Sequence, residues 1–152
     1  LGLVGSEMCI RDSYETALHT HFHVGNLTQV SLHGLEGSDY LDATVAGYPP
    51  RVQPDEPVTF DGTTVDRIYY STDTLRLDDP AWDRVIVIEA HGTKQTVTWN
   101  PGTAADTEIG DMQPGEWRDF VAIEAAACRE YAIELAPGES HALTQRISVE
   151  NR

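Results

Sequence analysis

Two short stretches, far apart in the chain, carry groups able to move protons. One is Ala17-Leu18-His19-Thr20-His21-Phe22; the other is Phe120-Val121-Ala122-Ile123-Glu124. Each places a titratable side chain in, or at the end of, an apolar strand-like run. Histidine and glutamate are the side chains most readily tuned to exchange protons near neutral pH. Brought together across a pocket, His19 and Glu124 would form a general acid and a general base, and little else in the chain has that character. Glu124 lies between the small residues Ala122 and Ala126, which leaves room for a pocket on its face of a strand. A carboxylate there is costly unless solvated or paired. The plainer alternative makes Glu124 a surface residue on the exposed face of an edge strand.

His19, His21 and His23 occupy alternate positions, so one continuous strand would turn all three to the same face. Three imidazoles on one face suggest a zinc or iron site. A cupin-type site would also need a glutamate four or five positions after its second histidine, where Gly25 and Asn26 stand. The expectation is therefore one functional histidine with two polar neighbours, and no metal. Asp66-Arg67 alone reads as a surface ion pair of little weight. In Trp99-Asn100-Pro101-Gly102 a strand end turns into a loop, with Asn100 initiating the turn. Trp99 suits either the core or the wall of a sugar site. His33, His91 and His141 read as surface histidines, and Cys128, after three alanines, as a small core residue.

The elements that must position these groups are short and strand-like. Thr16 to Val24, Val30 to His33, Val65 to Ser71, Arg84 to Ala90, Gln95 to Trp99, Phe120 to Glu124, Tyr131 to Leu135 and Ser140 to Ser148 read as strands. His91-Gly92-Thr93-Lys94 reads as a hairpin turn, and Pro137-Gly138 as a turn between the last two strands. Tyr48 to Pro57 holds four prolines and reads as a loop or edge excursion. With no amphipathic helix beyond a short turn near Asp111 to Trp117, the pattern predicts an antiparallel all-β sandwich or barrel.

Composition bounds the function. Asp and Glu number 25 against 10 Lys and Arg, a formal net charge of -15. That argues against nucleic acid and against an anionic membrane surface as partners. No apolar run approaches the ~20 residues of a membrane-spanning helix. Leu1 to Ser13 reads as translated adapter sequence rather than evolved protein, and is set apart from residues 14–152. Without Cys9, Cys128 stands alone, which fits a reducing compartment and a cytoplasmic location.

Six pieces in order carry a family resemblance: Ala17 to Val24, Val30 to Asp42, Val65-Asp66-Arg67-Ile68-Tyr69, Trp99 to Gly102, Gly110-Asp111-Met112, and Phe120 to Glu124. Together they resemble the glucose-6-phosphate 1-epimerase (hexose-6-phosphate mutarotase) branch of the aldose 1-epimerase superfamily. The resemblance implies a galactose mutarotase-like β-supersandwich, with His19 as general acid, Glu124 as general base and Asp66 binding sugar hydroxyls. It implies a small-molecule hexose phosphate as substrate and no cofactor. The family usually shows Tyr where this chain has His21. Its full domain is about twice this length, so residues 14–152 resemble its C-terminal part. The half that bears the phosphate-binding arginines would precede them. A half-domain should leave sheet edges and apolar surface exposed. The competing reading from another functional class is a non-catalytic carbohydrate-binding β-sandwich, with Trp82, Trp99 and Trp117 as stacking platforms.

Overall fold

The structure is a computed structural model that describes the backbone of residues 2–5 and 12–152, with side chains for residues 12–152. The strands are β1 (Gly2–Gly5), β2 (Asp12–Tyr14), β3 (Thr16–Leu18), β4 (His21–His23), β5 (Ser31–His33), β6 (Asp39–Asp42), β7 (Pro50–Val52) and β8 (Val58–Thr59). The chain continues through β9 (Val65–Tyr69), β10 (Leu75–Asp79), β11 (Arg84–His91), β12 (Gln95–Asn100), the single-turn α1 (Ala105–Glu108), β13 (Phe120–Ala127), β14 (Ile133–Leu135) and β15 (Ser140–Asn151). Strand accounts for 48% and helix for 14%, as the alternating pattern predicts. No described helix is long and apolar enough to cross a membrane.

One sheet has the order β1-β15-β11-β10-β5-β8. The second has β3-β13-β12-β9-β6-β7, with β4 also beside β13, and β2 pairs separately with β14. The pairings are antiparallel. The core lies between the two larger sheets. Leu32, Leu77, Ile86 and Ile88 from the first meet Val65, Tyr69, Val121 and Ile123 from the second. The period-two alternation of β13 thus sends Val121 and Ile123 inward, and Ala122 and Glu124 to the opposite face.

Three readings of the sequence need correction. Arg84–His91 and Gln95–Asn100 do not form a hairpin: β11 pairs with β10 and β15, whereas β12 pairs with β9 and β13. The His91–Lys94 link crosses between layers, so Ile88 and Thr96 border one small cavity from different sheets instead of lying side by side in one. Gly92 makes this possible. It sits at φ +79, where a Cβ would collide with the Ala142 carbonyl. Second, Thr16 to Val24 is not one strand but two, interrupted at His19 and Thr20, where Thr20 N–H turns back to Leu18 O at 2.8 Å. Third, β13 is no edge strand; it has β12 on one side and β3 and β4 on the other. Tyr48 to Pro57 is the edge excursion its prolines predict, with β7 last in its sheet.

Leu1 to Ser13 lies partly outside the described residues. Of the rest, the Gly2–Gly5 backbone runs along Ser140 to Leu143, and Asp12–Tyr14 along β14. Apolar surface is exposed at β15, where Ile147 and Val149 are 47% and 60% accessible although they pair with the buried Ile88 and Ile86.

Asn100 is the tie that sets the start of β13. Its side-chain amide donates to the Trp117 and Phe120 carbonyls, each at 2.9 Å, and its Oδ1 accepts from Gly102 N–H at 2.8 Å. The residue is 1% exposed, so these bonds are made away from bulk solvent. Leaving buried carbonyls unpaired costs about 1–3 kcal/mol each. Asn100→Ala is therefore expected to destabilise the fold by about 2–4 kcal/mol, read as a lower urea midpoint at unchanged slope.

Candidate active site

The interruption between β3 and β4 is what brings the two proton-moving groups together. Leu18 pairs with Ala125 and His21 with Ala122, so the two residues between them pass alongside Ile123 and Glu124. His19 Nδ1 then lies 3.4 Å from Glu124 Oε1. The two are 105 positions apart in the chain (124 against 19). Glu124 is almost wholly buried, with a side chain 7% exposed, whereas the His19 side chain is 56% exposed. Glu124 is thus a buried base candidate capped by an accessible acid candidate.

Asp66 joins this face through the sheet register. It pairs with Trp99, and Trp99 pairs with Ala122, two residues before Glu124 on the same face. No described group hydrogen-bonds the Asp66 carboxylate, which leaves it able to receive ligand hydroxyls. Arg67 does not form the expected ion pair with Asp66. Alternation turns it to the other face, where its guanidinium donates to Gln53 Oε1 at 3.0 Å and Tyr69 Oη at 3.2 Å.

Aromatic rings wall the site. The His21 ring stacks on Phe120 with centroids 5.0 Å apart, and Trp99 lies 6.0 Å from His21 and 6.1 Å from His19. Beyond them opens a cleft of about 580 Å³, bordered by Trp99, Met112, Phe120 and the carboxylates of Asp111, Glu116 and Asp119. Trp99 therefore stands at the site, not in the core. Trp117 is 2% exposed and cannot serve as a stacking platform. Trp82 is exposed, but Arg84 packs over its ring at 4.5 Å and His23 meets it edge-on at 4.7 Å.

The electrostatics follow from burial. Desolvation pushes the Glu124 carboxyl above the ordinary glutamate range; the neighbouring His19 pulls it back, and the charge of Asp66 raises it further. Burial likewise raises Asp66, helped by the charge of Asp42. His21 is shifted down, first by burial and then by His19, so it favours the neutral imidazole. Two carboxyls raised by their surroundings on one sheet face, with a histidine touching one of them, are the arrangement that acid–base chemistry needs.

The three histidines do not form one ladder, because the strand breaks at His19. His23 turns to Trp82. Among the described residues no three His, Cys, Asp or Glu side chains are grouped so as to hold a metal ion. Sequence reasoning missed Thr20 and Gln145, which lock the His19 link, and Asp42, which acts on Asp66 by charge. Gln145 stands 125 positions from Thr20 with no local motif around it, so nothing in the sequence marked it.

Known proteins share this architecture. The family model for aldose 1-epimerase matches residues 11–148. A protein of Escherichia coli (strain K12), provisionally named glucose-6-phosphate 1-epimerase, is 34% identical over 138 residues, covering 90% of this chain and 46% of its own. A Cenchrus ciliaris protein with the same provisional name is 31% identical over 128 residues, covering 84% of this chain and 38% of its own. The crystal structure of a provisionally named mutarotase (YeaD) from Salmonella typhimurium superposes with a TM-score of 0.82 at 27% identity, over 93% of this chain and 47% of that one. The chain thus spans about half the length of the relatives it matches. A second structure, an aldose 1-epimerase homologue from Escherichia coli K12, shares the fold at a TM-score of 0.74 and 16% identity. With its β-sandwich superposing on a mutarotase and the family model matched along nearly its whole length, this chain belongs to the aldose 1-epimerase family.

Proposed function

We propose that this chain supplies the acid–base face of an enzyme that interconverts the α and β anomers of a hexose 6-phosphate. The observation that carries the reading is the contact of His19 Nδ1 with the buried Glu124 carboxylate at 3.4 Å. The substrate class draws on the names of the relatives, glucose-6-phosphate 1-epimerase in both. In the ring-opening step Glu124 takes the proton of the anomeric hydroxyl. His19, protonated, gives its proton to the ring oxygen as the C1–O5 bond breaks. The open-chain aldehyde rotates about C1–C2. Closure on the other face runs the transfers in reverse and returns both protons, so neither acid nor base is consumed. The raised Glu124 basicity favours proton abstraction near neutral pH, where general acid–base catalysis is most effective.

The surroundings fit a sugar. Trp99 offers an apolar face, and Asp66 offers an acceptor to ring hydroxyls on the same side of the sheet as Glu124. The cleft beyond Trp99 is bordered by three carboxylates and no Lys or Arg, so it repels a phosphate.

Testing this needs a polypeptide of the family's full length. In a chain completed by the N-terminal half of the Escherichia coli relative, anomer exchange of glucose 6-phosphate should exceed the spontaneous rate and persist in EDTA. Magnetisation-exchange NMR on the anomeric protons reads both. Loss of activity on chelation would replace the acid–base reading with a metal-dependent one.

A further inference from the structure

The residues next to His19 and Glu124 are tied by a side chain from the other sheet. Gln145, on β15, accepts from Thr20 Oγ1 at 2.6 Å and donates through Nε2 to the Ile123 carbonyl at 2.9 Å. Thr20 follows His19, and Ile123 precedes Glu124. The same two residues also meet directly, because Ile123 N–H donates to Thr20 O at 3.1 Å. Here the ladder that β3 and β4 make along β13 is interrupted, so the backbone alone supplies fewer bonds than a continuous strand would. The carboxamide of Gln145 fills that gap. It can do so because it offers an acceptor and a donor on one planar group, matched to a hydroxyl on one side and a carbonyl on the other.

We propose that Gln145 is a positioning residue for proton transfer: by clamping Thr20 to Ile123 it holds the His19 imidazole against the Glu124 carboxylate. This rests on the acid–base reading above for its consequence in turnover, but the clamp itself can be measured without turnover. Gln145 hydrogen-bonds to the neighbours of the two proposed reacting groups, not to the groups themselves. It acts on the backbone that carries each of them, and a displacement of about 1 Å in such a pair costs up to about 100-fold in rate.

The electrostatics supply a readout that plain destabilisation would not move. Burial raises the proton affinity of Glu124 most; of the charged groups acting on it, His19 from the β3–β4 link lowers it and Asp66 from β9 raises it. Just past the end of β13, Cys128 feels the charge of Glu124 in turn. If Gln145 holds His19 in place, its removal lets His19 drift and weakens the lowering influence; Gln145→Leu also alters the burial around Glu124, since both residues line one small cavity, so Thr20→Val reads the His19 contribution by itself. The Glu124 carboxyl should then titrate at higher pH.

The experiment is a carboxyl 13C titration of the 152-residue chain, comparing wild type with Gln145→Leu, Thr20→Val, the double variant and His19→Ala. Gln145→Leu and Thr20→Val should each move the Glu124 midpoint upward, toward that of His19→Ala. The double variant should move it no further than the larger single shift, because both substitutions remove the same bond. Thr20→Val keeps the size of the side chain and leaves the Ile123 carbonyl with Gln145, so it reads the clamp even where Gln145→Leu fails to fold. Where the completed chain turns over sugar, Gln145→Leu should lower kcat by about 10- to 100-fold and leave KM nearly unchanged. A Glu124 midpoint unmoved in folded Gln145→Leu and Thr20→Val overturns the proposal, as does an equal rise in KM with kcat intact. Full activity in Glu124→Gln would overturn the catalytic reading instead, and the titration still decides the clamp.

Discussion

Glu124→Gln should slow anomer interconversion by about 100- to 10,000-fold and should also make the fold more stable. The amide has the size of the carboxyl and accepts hydrogen bonds, but it cannot take the anomeric proton. The kinetic loss should fall on kcat and kcat/KM together, since proton abstraction belongs to the transition state. The gain in stability follows from burial. Desolvation raises the proton affinity of Glu124 in the folded protein above that in the unfolded chain. The folded state therefore binds this proton more tightly. As pH rises through the unfolded glutamate pKa of about 4.3, stability falls, and the loss is complete above the raised folded value. The amide escapes that loss. Thermal unfolding of the variant should exceed wild type at pH 7 by about 0.5–2 kcal/mol, the size of gain common when a functional compromise is removed. The two proteins should converge below pH ~4. Equal rates of anomer exchange for the two would remove Glu124 from the mechanism, and equal unfolding at pH 7 would show that its burial is compensated. The acid limb of kcat/KM in the wild type should lie above the ordinary glutamate range for the same reason.

His19→Ala should cost anomer exchange about 100- to 10,000-fold as well, through loss of the proton delivered to the ring oxygen. Its effect should depend on what stands at position 124. When acid and base act on one coupled event, removing the second partner costs less than removing the first. The double variant His19→Ala/Glu124→Gln is therefore expected to lie well above the product of the single losses. A multiplicative result would mean that the two groups serve separate steps. His19 is 56% exposed, so its loss should leave thermal stability within about 0.5 kcal/mol of wild type. Polarimetry on freshly dissolved α-anomer, with the spontaneous rate subtracted, measures each variant.

Much of this protein was written in local patterns. Strand periodicity in Arg84 to Ala90 and Phe120 to Glu124, with glycine and proline turns, gave the all-β class, because alternation of side chains across a strand is a local property. The prolines between Tyr48 and Pro57 marked an edge, since a residue without an N–H cannot sit inside a ladder. His19 and Glu124 stood out by residue type, as groups that trade protons set in apolar runs.

What the local pattern could not hold was partnership between strands and the surroundings of a side chain. Strand β12 could pair with β11 or cross to the other layer with equal fidelity to its alternation. Gly92, packed against the Ala142 carbonyl, favours the crossing. At the break at His19 and Thr20, the Ile123 carbonyl is satisfied by Gln145 and the Ile123 N–H by the Thr20 carbonyl, partners that come from residues far off in sequence. Burial of Glu124 depends on the closed sheet, with β3 and β4 on one side of it and β12 on the other. Its raised proton affinity comes first from that burial and then from Asp66, 58 positions away (124 against 66). Residue chemistry was set by the sequence; the distances, desolvation and neighbouring charges that tune it are long-range quantities, and only the folded sheets decide them.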